Sequence, residues 1–221
     1  MSKRSSRGPC TRSTRRLAAP LRVSNDAVRL AVIGKLRWIK RQQAKFNRQA
    51  RQSDREMVSG ESHYFLGRRY LLRVVLHDGS NRVSLRGRSI IELQVRPEYS
   101  AKEREQVLLR WYRQSLRELV PPLLAKWEPI LDVGAVAFGI RRMKTKWGAY
   151  SPKTRRIWLN LELAKKPEQC LEYIIVHELA HHKERHHNEN FIGILDRHLP
   201  RWRHLRKTLN EAPLGHAEWT Y

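Results

Sequence analysis

The sequence predicts an α+β fold. Short β-type runs punctuated by Gly and Asp fill residues 64–95, and apolar residues at helical spacing organise much of the chain beyond residue 100. Within that second part, the apolar run Tyr173-Ile174-Ile175-Val176 leads directly into His177-Glu178-Leu179-Ala180-His181.

In chain order, the first element is a helix. Ser24-Asn25-Asp26 offers a cap, and Val28, Ala31, Val32, Leu36 and Ile39 follow at helical spacing into the mid-forties. Trp38 and Phe46 are expected to pack against it, and residues 47–60 read as a polar linker. Strands are expected over Arg69–Leu76, Arg82–Leu85 and Ile90–Val95. Asp78-Gly79 and Gly87 divide them into hairpins or a meander. A helix from about Ala101 buries Val107, Leu108, Trp111, Tyr112, Leu116 and Leu119, and Pro121-Pro122 is expected to end or kink it. Val133–Ile140 reads as a strand, and Trp147 with Arg156–Leu161 as arms of a hairpin around Ser151-Pro152. Pro167-Glu168 starts the helix that carries the His-Glu-x-x-His motif, since Pro is tolerated in a first turn and an acid suits its positive end. A shorter helix through Phe191, Ile194 and Leu195 and a last one after Pro200 complete the chain.

The motif carries the chemistry. Residues four apart on a helix share a face, so His177 and His181 can aim two imidazoles at one metal ion with Glu178 beside them. The chemistry this pattern serves is zinc-assisted hydrolysis, with the carboxylate taking a proton from water. A third ligand is expected at His187, with His186 or a distant Glu or His as alternatives. Five of the ten histidines lie between 177 and 187. His187 has the spacing of the third ligand in the extended motif, but Glu184 stands where that motif has Gly. The chain is therefore expected to reverse through His186-His187-Asn188. Tyr150, Arg142 and His198 are candidates to stabilise an oxyanion. His182, His198 and His204 are otherwise expected at the surface or behind the ligands. Trp111, Trp127, Trp158 and Trp202 are expected in the core, Trp147 is expected to support the site, and Asn160 either to fix a turn near it or to make a simple strand-end hydrogen bond.

Composition bounds the setting. Two cysteines exclude a disulfide framework and a Cys-rich zinc site, and suit a reducing compartment such as the cytoplasm. No apolar run approaches the roughly 18 residues of a membrane span. The net charge is +24, and the first sixty residues hold 16 Lys and Arg against 3 Asp and Glu. Such an excess favours polyanions, nucleic acid among them, although no nucleic-acid-binding motif accompanies it. Residues 1–20 read as a disordered basic tail. Their composition is also that of a transit peptide, with a twin arginine at Arg15-Arg16, but no secretory apolar core comes after it.

Several ordered motifs resemble one family. Gly67-Arg68-Arg69-Tyr70, Met143-Lys144-Thr145-Lys146-Trp147-Gly148, Ile157-Trp158-Leu159-Asn160, Tyr173 to His181 and His187 to Phe191 are similar to those of the YgjP-like metallopeptidases, predicted metal-dependent hydrolases of bacteria related to SprT-like proteases. The resemblance spans roughly residues 21–202. It implies a zincin-like fold, a small antiparallel sheet over the active-site helix; the basic tail and first helix read from composition and spacing stand ahead of it. It further implies Zn2+ held by His177, His181 and His187, Glu178 as catalytic acid/base, and a protein or peptide substrate. Some SprT-like relatives cut proteins crosslinked to DNA, so a nucleic-acid-associated protease or a non-catalytic binding module is the alternative. The expected organisation is a tail over 1–20, a helix and linker over 21–60, and the metallopeptidase domain over 61–221. The chain departs from the family at Ala149-Tyr150, where Ser-Cys is usual, at Asn188 for Ser, at Ile192 for Trp, and over residues 1–20, where a strand hairpin is usual.

Overall fold

The computed structural model describes residues 23–48, 55–143 and 146–211. The tail over 1–20, its Cys10 and twin arginine, and residues 49–54 of the linker lie outside the described residues. The chain divides into two compact units, residues 1–50 with 218–221, and residues 51–217. In the first, Asn25–Arg48 forms α1. Its first turn is capped by Ser24, whose Oγ accepts from the Ala27 N–H at 3.3 Å, as the Ser-Asn-Asp signal predicts.

The larger unit holds two small sheets. The first contains β1 (Ser62–Phe65), β2 (Arg68–Leu76), β3 (Arg82–Arg86) and β4 (Ile90–Val95), in the order β1-β2-β4-β3. The β1–β2 and β3–β4 pairs are antiparallel hairpins, but β2 and β4 run parallel. This corrects the expected meander. Ile91, Leu93 and Val95 of β4 are all fully buried, so that strand takes the centre. Arg82 and Arg86 leave β3 as the polar edge.

Ser100 opens α2 (Ala101–Ile130) with a reciprocal capping box to Glu103. The helix runs through Pro121 and Pro122 rather than ending there. Val107, Leu108, Tyr112, Leu116, Val120, Leu124 and Trp127 are buried along it, so its apolar stripe continues past both prolines. The carbonyls that the prolines leave without donors belong to Arg117 and Glu118, whose side chains are exposed, and water can serve them there.

The second sheet contains β5 (Ala137–Arg141), β6 (Gly148–Ser151) and β7 (Arg156–Asn160), in the order β5-β7-β6. The β6–β7 hairpin turns at Ser151-Pro152 as expected, while β5 and β7 are parallel. Both sheets are thus mixed rather than purely antiparallel, because β4 inserts between the consecutive strands β2 and β3, and β7 between β5 and β6. Trp158 also departs from expectation. It alternates outward between the buried Ile157 and Leu159 and lies half-exposed, with the Arg141 and Arg156 guanidinium groups 4.7 and 5.5 Å from its ring centre. Trp127 and Trp202 are buried as expected, and Trp111 packs on Phe65 at 4.5 Å between ring centres.

A 3-10 turn over Leu161–Lys165 leads to α3 (Glu168–Lys183), followed by α4 (Glu189–His198) and α5 (Trp202–Glu211). Most of α3 is buried, including Cys170, Leu171, Tyr173, Ile174, Ile175, Val176, Leu179 and Ala180. A helix apolar on most sides belongs in the centre, and α2, α4, α5, β6 and β7 all pack on it. Its start is fixed by the β1–β2 turn. Leu66 and Gly67 have φ of 47° and 79°, the positive values of a two-residue hairpin turn, and Leu66 N–H donates to Ala164 O at 2.9 Å. A Cβ on Gly67 would lie 2.7 Å from Pro167 Cγ, at the residue that caps α3. Among the described residues, no helix is long and apolar enough to cross a membrane.

Candidate metal centre

Each motif residue is positioned by a local device. His177 and His181 lie one turn apart on α3, with ring centres 5.0 Å apart. The helix stops at Lys183, and Glu184 leaves it in extended conformation, with φ −132° and ψ 111°. The chain then bends through residues 185–188 and enters α4, so the reversal needs no glycine. Asn188 caps α4 by accepting from the Phe191 N–H at 3.0 Å. Asn is as competent a cap as the Ser usual in the family. This short reversal brings His187 back over α3, with its Nε2 3.1 Å from that of His177.

Ligand nitrogens of His177, His181 and His187 all lie within 4.8 Å of one another. His186 is exposed and has no part in this cluster. Phe191 forms an apolar floor, with ring-centre distances of 5.0, 4.7 and 4.7 Å to His177, His181 and His187. His181 Nδ1–H donates to Glu184 O at 3.0 Å, which leaves Nε2 as the basic nitrogen. Two neutral imidazole nitrogens in direct contact call for a proton or a cation between them. A tetrahedral zinc with bonds of 2.0–2.1 Å sets its ligand nitrogens about 3.3 Å apart, close to the 3.1 Å between His177 and His187. Burial, together with the other two histidines and Arg206, holds the His177 imidazole down at about 3, and burial also lowers His181. Both are neutral at physiological pH, the form that ligates.

Glu178 lies beside the histidines on α3, turned toward β6. It is buried, and burial pushes its carboxyl up to about 7, opposed by the Tyr150 backbone N–H and by Lys146. Strand β6 approaches so closely that a Cβ on Gly148 would sit 2.5 Å from Glu178 Oε1. The loop before β6 is tied down by Asn160, whose amide donates to Met143 O and Lys146 O at 2.8 Å each. Its Oδ1 accepts from the Met143 and Glu162 N–H groups at 3.3 and 3.2 Å. All four hydrogen-bonding sites of Asn160 are used, so its expected role in fixing a turn is realised.

A cleft of about 540 Å³ opens over these residues. Of the three oxyanion candidates, Tyr150 lines it, with its hydroxyl 2.9 Å from His182 Nδ1. Arg142 instead reaches Glu105 at 3.5 Å, and His198 stands edge-on to Trp127. Sequence reasoning does not single out Tyr173, Arg185 or Arg206 as cleft residues. The heptad-like face Trp202, Leu205, Leu209 marks α5 as a packed helix, but nothing in it shows that neighbouring Arg206 borders the site.

Trp147 lines the cleft and rests over Lys166, whose Nζ is 5.2 Å from its ring centre. Lys166 is buried, and Nζ has no hydrogen-bond partner among the described residues. Burial pulls its pKa down from 10.5 to about 8. Below that value the folded chain carries a buried ammonium, at a cost on the order of 1–3 kcal/mol. Lys166→Met is therefore expected to raise Tm at pH 7, by about 2–4 °C for each kcal/mol recovered. Between pH 8 and 10.5 the unfolded chain binds more protons than the folded one, so wild-type stability climbs with pH and the gap to the variant closes. Melting both proteins across that range checks the expectation, and a constant gap contradicts it.

Convergent imidazoles on a central helix, a third returned by the next turn and a buried carboxylate beside them are the constellation of a metal-dependent hydrolase. The chain belongs to the YgjP-like family: the model of the YgjP-like metallopeptidase domain matches residues 9–212. It is accordingly a metal-dependent peptidase. Two solved structures are similar to part of the chain. The metallopeptidase zymogen abylysin of Pyrococcus abyssi is 26% identical, with a TM-score of 0.39 over 44% of this chain and 99% of its own. The metallopeptidase zymogen jannalysin of Methanocaldococcus jannaschii is 25% identical, with a TM-score of 0.36 over 43% of this chain and 93% of its own. No curated protein matches the chain.

Proposed function

We propose that the chain is a zinc-dependent peptidase in which His177, His181 and His187 hold the metal and Glu178 is the general base. The observation that carries this reading is the three-nitrogen cluster within 4.8 Å, flanked by the buried Glu178. Zinc bound there supplies Lewis acidity to a water and to the scissile carbonyl. Glu178 accepts the proton of the attacking water and passes it to the leaving amine. Its pKa near 7 suits both halves of that transfer. Tyr150 is the candidate to donate to the developing oxyanion, since its hydroxyl is at the cleft and already oriented by His182. Catalysis is assigned to residues 61–221, with residues 21–60 as an N-terminal helix and linker. The free, buried Cys170 fits a cytoplasmic setting.

Zinc content by elemental analysis of tag-free protein, wild type beside His187→Ala, tests the site. About one zinc per wild-type chain with clear loss in the variant is expected. Wild-type protein that takes up no zinc on reconstitution would remove the proposal, and zinc retained in the variant would move the third ligand elsewhere.

One observation favours a second reading, a nucleic-acid-associated role. The strand registers put Arg69, Arg73, Arg82 and Arg86 on the outer face of the first sheet, where Glu92, bonded to Arg73 and Arg86, is the sole carboxylate on the paired strands. A binding module of this kind predicts salt-sensitive nucleic-acid affinity that Glu178→Gln leaves unchanged.

A further inference from the structure

The charge around the cleft is one-sided, and the specificity it implies rests on the peptidase reading of the site. Lys146, Arg185 and Arg206 all line the cleft, and Glu178, buried at its floor, is the sole carboxylate in the lining. The three cations come from separate elements: the loop before β6, the turn after α3, and α5. All three are exposed. Some cations elsewhere do find partners, as Arg86 does on Glu92, Lys126 on Glu172 and Lys165 on Glu162. None of the three at the cleft has a carboxylate within 4.0 Å among the described residues. Unpaired charges of one sign around a concave surface focus potential into it and raise the local concentration of the opposite charge. They also repel a segment of their own sign, which is as much a part of specificity as attraction. The remaining lining, with Trp147, Tyr150, Tyr173 and Leu209, is aromatic or apolar and supplies contact area without charge preference.

We propose that the cleft selects peptide segments with Asp or Glu close to the scissile bond, and that Lys146, Arg185 and Arg206 read those side chains. A net charge of +24 spreads cations over the whole chain, so the test must separate the cleft from the general surface.

The zinc-loaded full chain is incubated with a library of randomised decapeptides, and the residues flanking each cut are read by mass spectrometry. Enrichment of Asp and Glu over Lys and Arg on the order of tenfold is expected, falling as salt is raised. The combined reversal Lys146→Glu, Arg185→Glu, Arg206→Glu is expected to invert the preference, with each single reversal shifting it partway. The single variants keep the result decisive if the triple one does not fold. Arg88→Glu with Arg96→Glu, both exposed and outside the cleft lining, is expected to leave the preference unchanged. Cutting without acidic enrichment, or enrichment that the cleft reversals do not move, overturns the inference and leaves the peptidase reading standing. If no peptide is cut, the peptidase reading falls, and capture of library members on the immobilised zinc-loaded chain decides the rest. Acidic capture lost on reversal retains the cleft assignment, and capture indifferent to charge overturns it as well.

Discussion

Glu178→Gln is expected to lower kcat by about a thousandfold or more while leaving zinc content unchanged. Glutamine has the shape of the carboxylate it replaces, so it fits beneath Gly148, where there is no room for anything larger. Its carbonyl oxygen can still accept the Tyr150 backbone N–H that Glu178 accepts. What it cannot do is take a proton from water, and the three histidines provide no substitute if their nitrogens are committed to metal. A second readout separates this account from simple damage to the fold. In metal-free protein the carboxyl is pushed up from 4.5 to about 7, so wild-type stability declines as pH rises through that window. The uncharged variant escapes that decline, and metal-free Glu178→Gln is expected to melt higher than metal-free wild type at pH 8. Full proteolysis by the variant at unchanged zinc would sink the general-base assignment.

Gly148→Ala is expected to cost about a hundredfold in turnover through a single methyl group. The added Cβ would lie 2.5 Å from Glu178 Oε1, 2.8 Å from Glu178 Cγ and 2.8 Å from Ile174 Cγ2. Ile174 is buried in α3 and cannot swing aside, so either the carboxylate is displaced or β6 lifts from the helix. Overpacking of this kind costs about 1–3 kcal/mol. The added methyl meets Glu178 and Ile174 rather than the histidines, so zinc is expected to stay bound. Kinetics, a thermal melt and zinc analysis on one preparation check all three outcomes. A variant with wild-type turnover would mean that β6 does not press on Glu178.

The metal cluster is legible in the sequence because its determinants are local. The i, i+4 spacing puts His177 and His181 on one face in any α-helix, and the six-residue step to His187 fits one short reversal. Capping signals at Ser24, Ser100 and Asn188 act over three residues, and the first of them is plain in Ser24-Asn25-Asp26. Determinants that act over long distances are not legible. Hairpin signals identify β3 and β4 as a pair but do not say which of them joins β2. That choice is made by the burial of Ile91, Leu93 and Val95 against the rest of the core. The run of α2 through Pro121-Pro122 is likewise settled by tertiary packing of its apolar stripe, which outweighs the local cost of two missing donors. Trp158 reads as core by residue type, yet strand alternation turns it outward. Arg206 looks like any solvated helix residue until α5 is placed beside α3.

The reach of these packing contacts bears on how the enzyme comes into being during translation. The hairpin turn at Gly67 is made early but seats against Pro167, which the ribosome adds a hundred residues later. Helix α3 then emerges with its motif complete but uncovered on one side, because Tyr173 stacks on Trp202 of α5 and Arg206 and Leu209 close the cleft. Burying the most apolar helix and finishing the substrate channel are therefore the same late event. A nascent chain short of α5 has its three clustered histidines but no finished cleft.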